Sequence, residues 1–278
     1  MKSKIPLSLR VIQKIFPLVE KVSPRAAKLW VIRLFFRPPR YRMPARERNK
    51  IDSSQRLSIT HNEQEIALYE FGEGPTVILL HGWAGRSMQL MAMIDPIVES
   101  GYSVVAVDLP AHGNSEGKKT TLPACANLLL KIGEQYEPIE AIVAHSFGGL
   151  VTMFARTKGL KVNKQVFIGV PAVATEIPTE FMSYINGSPK SAGYINGYIK
   201  SKFGIEFKDF TMEKLAVELP AVPTFLVHDH DDKEAREHHM KAIERAFPEA
   251  PFHKTKGLGH TRILRDKEVV KRVVEFIS

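Results

Sequence analysis

One cysteine, Cys125, stands among the 278 residues. That excludes an internal disulfide framework and a cysteine-based zinc site, and it points to a reducing compartment, so the expected location is the cytoplasm. Long apolar runs are missing: none reaches the ~18 to 20 uninterrupted residues of a membrane span. A secretory leader is not expected, because Arg10 and Lys14 interrupt any apolar stretch near the start and no A-x-A site follows. Glycine and proline, 18 of each, are far too few for a collagen. Apolar residues, by contrast, make up 44% of the chain, more than a disordered chain carries and enough to bury a large core without staples.

Acids are nearly absent from the first fifty residues. Glu20 and Glu47 stand against fourteen lysines and arginines, a balance of +12, whereas the remaining 228 residues carry −3. The overall +9 therefore describes an N-terminal segment, and the body of the chain does not read as a nucleic-acid-binding domain. Within residues 1–54 two stretches fit basic amphipathic helices. One runs through Val11, Ile15, Phe16 and Val19, the other through Leu29, Trp30, Ile32 and Phe35. Three expectations follow for this arm. It docks on the protein's own body, or residues 1–50 make peripheral contact with anionic headgroups on the inner face of a membrane, or the arm binds a partner.

From about residue 55 the texture changes. Short apolar runs at 56–59, 66–71, 76–80, 103–107, 141–144, 165–169, 224–227 and 252–256 read as strands, the first two as a hairpin turning at His61–Asn62. Helical patterns lie at 87–99, 122–136, 147–158, 233–246 and 266–277. The alternation predicts an α/β fold with a mostly parallel sheet covered on both faces. Chemistry in such sheets collects at the carboxyl ends of the strands.

The strand ends carry polar groups and glycine turns. Ser146 follows one strand and opens a helix, with Ala144 and Gly148 as small neighbours; a sharp turn that exposes a serine needs both. A serine hydroxyl needs a base to take its proton, and His260, in a glycine-rich turn after the last strand, is the candidate. Asp229, Asp231 and Asp232 compete for the acid that orients it; the pattern H-D-x-x-D ends on Asp232, which is preferred. The main-chain N–H groups of Phe147 and Trp83 are the expected oxyanion donors. His81, His112 and His145 are expected to order loops. His238 and His239 lack metal-ligand spacing, and no metal is expected.

Together these segments resemble the alpha/beta-hydrolase fold superfamily over roughly residues 55–278. The matching pieces are H-G-W-x-G at 81–85, D-x-P-x-H-G-x-S at 108–115, H-S-F-G-G at 145–149, H-D-x-x-D at 228–232 and G-L-G-H at 257–260. Residues 257–266 and the basic, proline-containing stretch 37–48 are similar to a bacterial, serine esterase-like branch. Ala144 departs from the usual G-x-S-x-G. The resemblance implies an eight-stranded sheet, a Ser146–Asp232–His260 triad, acyl transfer to water from a small-molecule ester, and no cofactor. C–C bond hydrolysis or acyl transfer with the same triad is the alternative it leaves open, and a nonenzymatic binding protein is the other class. Dehalogenase and epoxide hydrolase chemistry needs an aspartate where Ser146 stands.

Residues 171–221 interrupt the alternation and divide the expected core into 55–170 and 222–278. The insert is aromatic and glycine-containing and is expected to form a small helical cap. Phe181, Tyr184, Tyr194 and Tyr198 are its candidate pocket residues.

Overall fold

The computed structural model describes residues 7–278; Lys2 and Lys4, counted in the basic arm, lie outside them. Eight strands form one sheet: β1 (Gln55–His61), β2 (Gln64–Phe71), β3 (Thr76–Leu80), β4 (Ser103–Val107), β5 (Ile139–His145), β6 (Lys164–Ile168), β7 (Thr224–Asp229) and β8 (Phe252–Thr255). Their order is β1-β2-β4-β3-β5-β6-β7-β8. The β1–β2 and β2–β4 pairs are antiparallel and the rest are parallel. The hairpin closes on Asn62 and Glu63, both at positive φ, the two-residue geometry that matches strand twist. Among the described residues the helices are α1 (Leu7–Val22), α2 (Pro24–Phe35), α3 (Ala45–Asp52), α4 (Met91–Glu99), α5 (Leu122–Tyr136), α6 (Phe147–Arg156), α7 (Ile177–Tyr184), α8 (Ala192–Phe203), α9 (Met212–Glu218), α10 (Glu237–Ala246), α11 (Gly259–Arg262) and α12 (Lys267–Ile277).

Two compact units account for the chain. The larger runs from Pro38 to Ala172 and from Met212 to Ser278, and it holds the whole sheet. Its central strands are buried at nearly every position, the mark of a parallel sheet covered on both faces. Val77 and Leu79 join α4 and α12 in one core cluster, while Ile78 and Leu80, pointing the other way, are equally buried. Cys125 of α5 lies in this interior, and burial pushes its thiol up to about 12, which keeps it protonated and unreactive.

The smaller unit joins the N-terminal segment up to Arg37 with Val173–Thr211. Apolar rings hold it together. Phe16 is fully buried and packs on Trp30, with ring centroids 5.7 Å apart. Phe35 meets Phe181 edge-on at 5.1 Å, and Phe36 meets Tyr198 at 5.2 Å. Glu20 is bound by the Ser188 N–H, the Ser188 hydroxyl and the Ser191 hydroxyl. Burial works against its charge, yet those bonds outweigh burial and lower its pKa.

This division differs from the three-part sequence expectation at both joints. Residues 38–54 belong with the sheet, because α3, not foreseen, inserts Ile51 into the core cluster and pairs its buried Glu47 with Arg86. Residues 212–221 also belong there, because α9 packs on α10 and α6. Helix starts moved as well. The segment 87–99 opens with a short 3-10 turn, and 233–246 becomes helical only at Glu237.

Removing the Phe16 ring leaves a cavity under Trp30. Phe16→Ala is expected to destabilise the smaller unit by about 3–5 kcal/mol, measured by urea denaturation of the full chain with tryptophan fluorescence as the signal.

Candidate active site

Four loops at the carboxyl ends of β3, β5, β7 and β8 carry the site, all within the larger unit. Ser146 lies between β5 and α6 at φ 52° and ψ −120°, a region side chains avoid at a cost of about 1–3 kcal/mol. Its N–H is bonded to the Ile168 carbonyl (2.9 Å). Beyond the turn α6 runs close against the end of β3, and only a glycine fits at 148. A Cβ on Gly148 would lie 2.8 Å from the Leu80 carbonyl oxygen and 3.0 Å from that of His81. Ala144, the departure from the usual motif, is fully buried in β5 and pairs with Leu80 and Phe167 without disturbing the register.

Asp232 and His260 come together. The His260 Nδ1–H donates to Asp232 Oδ2 at 2.7 Å. Asp232 is itself held: its Oδ1 accepts from the N–H groups of Glu234 (2.8 Å) and Ala235 (2.9 Å). The bond fixes the tautomer that leaves Nε2 as the basic nitrogen. Burial alone would lower the His260 pKa, but the Asp232 hydrogen bond and the Glu234 charge outweigh it and raise the value above the ordinary 6.5. The Nε2 atom faces Glu234 Oε2 at 3.5 Å. Among the described residues the Ser146 hydroxyl forms no hydrogen bond to His260. Hydrogen bonds of this kind are often long before substrate binds. Two links nevertheless tie His260 to the serine turn. Its carbonyl accepts from His145 Nε2 (2.9 Å), and its ring lies 4.6 Å from that of His145. Moreover Gly169 follows the Ile168 that holds Ser146, at φ 58°. A Cβ there would sit 3.2 Å from Asp232 Oδ2 and 3.4 Å from His260 Nδ1.

Asp229 does something else. Its carboxylate accepts from the N–H groups of Asp231, Leu258 and Gly259 and from the Thr255 hydroxyl, which fastens the loop that carries His260 to β7. Burial opposes its ionisation, but these bonds win and lower its pKa. No hydrogen bond joins the Asp231 side chain to His260 among the described residues. The N–H groups of Trp83 and Phe147 have no acceptor among the described residues, and the two rings meet edge-on at 5.3 Å.

His81 and His112 order loops. His81 donates from Nδ1 to the Gly82 carbonyl and accepts at Nε2 from Leu109 N–H. His112 donates to the Pro110 carbonyl and accepts from Ala84 N–H. Burial pushes their pKa values down to about 4 and about 3, so both stay neutral. A cleft of about 350 Å³ lies along the same loops, lined by Arg40, Arg42, Ala84, Gly85, Arg86 and Asn114 among others, and it includes none of Ser146, Asp232 and His260. Phe181, Tyr184, Tyr194 and Tyr198 all lie in the smaller unit, where Phe181 and Tyr198 pack on Phe35 and Phe36.

Residues 77–272 match the model of the alpha/beta hydrolase family. The chain belongs to that family. The eight-stranded sheet is the family fold, and an esterase from Pyrococcus furiosus superposes on it with a TM-score of 0.63 at 20% identity, covering 87% of this chain and 96% of that one. Among curated proteins, 145 residues are 30% identical to the dihydrolipoyllysine-residue acetyltransferase component of the acetoin cleaving system of Cupriavidus necator. The match covers 49% of this chain and 34% of that protein. A further 112 residues are 33% identical to the pimeloyl-[acyl-carrier protein] methyl ester esterase of Vibrio campbellii, covering 39% and 42%. The chain thus spans well under half the length of the curated relatives it matches. These similarities support a hydrolase.

Two residues of this alpha/beta hydrolase escaped the sequence. Glu234 carries no motif and is recognisable only from its distance to Nε2. Gly169 did leave a signal, a glycine closing a buried strand. Replacing Asp229 by alanine strands main-chain N–H groups and is expected to cost about 2–3 kcal/mol, read by thermal or chemical denaturation. Because the folded pKa of Asp229 is depressed, its contribution is complete above the unfolded value of about 3.9. It disappears as pH falls through the lower folded value, so the wild-type and Asp229→Ala stabilities should converge in strong acid.

Proposed function

We propose that the protein is a serine hydrolase that cleaves a carboxylic ester through an acyl-enzyme. The observation that carries this reading is a serine at a strained strand-to-helix turn whose neighbour His145 touches the ring of His260, an imidazole with its Nδ1 locked on a carboxylate 2.7 Å away. Ser146 Oγ attacks the ester carbonyl carbon and passes its proton to His260 Nε2, while Asp232 orients the ring and stabilises the imidazolium. The unpartnered N–H groups of Trp83 and Phe147, the latter at the positive end of α6, donate to the developing oxyanion. Collapse breaks the ester C–O bond as Nε2–H protonates the leaving alcohol. Water then attacks the acyl carbon, giving its proton to Nε2; the acyl–Oγ bond breaks as Nε2–H returns that proton to Ser146 Oγ, which releases the acid and restores the enzyme.

The Vibrio campbellii relative, named for ester cleavage, favours this class of substrate. Acyl transfer to another acceptor would share the first half of the mechanism. The acetyltransferase relative does not raise it to equal standing, because its match covers 34% of that protein and its name describes the whole. Fold alone does not choose between these reactions.

Ser146→Ala is expected to abolish turnover of a short p-nitrophenyl ester and labelling by a fluorophosphonate while the melting temperature is kept. Unchanged turnover in the folded variant refutes the assignment. The pH dependence tests the base. The raised pKa of His260 means that its protonated form is stabilised in the fold; that stability is present below about 6.5 and lost as pH rises through the folded value. Catalysis needs the neutral ring, so kcat/KM should climb with an apparent pKa above 6.5. Glu234→Gln should move that limb to lower pH with little change in the plateau. A limb that does not move shows that Glu234 has no hold on the ring.

A further inference from the structure

The exposed side of α1 carries more apolar surface than a helix facing water needs. Leu7, Val11, Ile15, Leu18 and Val22 recur at intervals of four, four, three and four residues, which aligns them in one stripe. They are 75%, 44%, 43%, 62% and 85% exposed. The opposite side of the same helix is already in use. Leu9 and Phe16 are buried there, Gln13 donates to the Tyr184 carbonyl, and Glu20 is bound by Ser188 and Ser191. The helix therefore has two apolar faces, and the described chain covers one. Leu29 of α2, 73% exposed, adds to the uncovered surface.

Cations flank it. Arg10, Lys14 and Lys21 run along one edge of the stripe, and Arg25, Lys28 and Arg33 surround Leu29. All six are exposed, and none is paired with a carboxylate among the described residues. The single acid of this stretch, Glu20, is turned inward onto its serines.

We propose that this face is an interfacial anchor for an anionic lipid surface. The 16-residue α1 would lie in the plane of the bilayer, its stripe at the acyl boundary and its cations among the headgroup phosphates. No described helix is long and apolar enough to cross a membrane, so the contact is one of lying on the surface. Charge selects the occupant. A second copy placed face to face would bring two sets of like-charged rims together, whereas anionic headgroups neutralise the rim that the apolar stripe requires.

The test is sedimentation of the full chain with lipid vesicles. At low salt it should pellet with mixed phosphatidylcholine–phosphatidylglycerol vesicles and remain in solution with phosphatidylcholine alone, and added salt should weaken the binding. Deleting the segment would expose the Phe16 and Phe35 contacts, so point substitutions are the better probe. Leu18→Ser with Val22→Ser should reduce vesicle affinity about tenfold or more with an unchanged circular dichroism melt. Lys14→Glu with Lys21→Glu should do the same and flatten the salt dependence. Ser146→Ala should bind like the wild type, so the result stands apart from the hydrolytic reading. Absence of pelleting with anionic vesicles overturns the proposal, as does undiminished binding by the Leu18/Val22 variant. A lipid-free dimer that this variant dissolves, or binding that appears only with an acidic protein, reassigns the stripe and overturns it equally.

Discussion

The turn at Ser146 is the constraint on which the site depends. An L-residue at φ 52° and ψ −120° does not persist unless its surroundings leave no alternative. Here β5 enters the turn fully paired between β3 and β6, and α6 leaves it at once. The serine N–H is spent on Ile168 and its carbonyl accepts from Gly149. The Gly148 α-carbon lies so close to the end of β3 that any other side chain would meet main-chain oxygens.

Around that turn, buried polar groups act on the main chain far more than on one another. Asp108 takes Ser87 N–H and hydroxyl on one oxygen and Asn114 N–H on the other, which explains why its motif needs a tight Gly113 turn. Asp229 does the same for the loop that carries His260. His81, His112, His145 and His228 each donate one ring N–H to a carbonyl, and burial lowers the pKa of all four. His260 is somewhat less enclosed and moves the other way, because its partner is a carboxylate with a second acid nearby. Among these five histidines only His260 shifts upward.

Most of the larger unit was legible because its determinants are local. Strand runs such as 76–80 and 103–107 are continuous in apolar residues, and the glycines and serine of the turn at 145–149 state their backbone geometry outright. The choice of Asp232 over Asp229 rested on a pattern alone, and the structure gives each carboxylate a distinct set of donors. What stayed hidden depends on packing between distant segments. Helix α3 has a strongly polar sequence and exists through Ile51 and the Glu47–Arg86 pair, neither of which reads as a helix signal. The association of α1 and α2 with 173–211 depends on which aromatic ring meets which, and composition does not say that. Of the four aromatic residues expected to line a pocket, Phe181 and Tyr198 pack on Phe35 and Phe36.

Glu234 adds a step that the motif does not contain. A carboxylate 3.5 Å from His260 Nε2 favours a proton on that nitrogen, whereas on the proposed mechanism the Ser146 hydroxyl gives its proton to the lone pair there. The two demands fall on one atom. On the proposed mechanism the same carboxylate lowers the share of neutral ring at a given pH. That balance is cheap to adjust, because Glu234 is an exposed side chain whose removal leaves the Asp232 contacts intact.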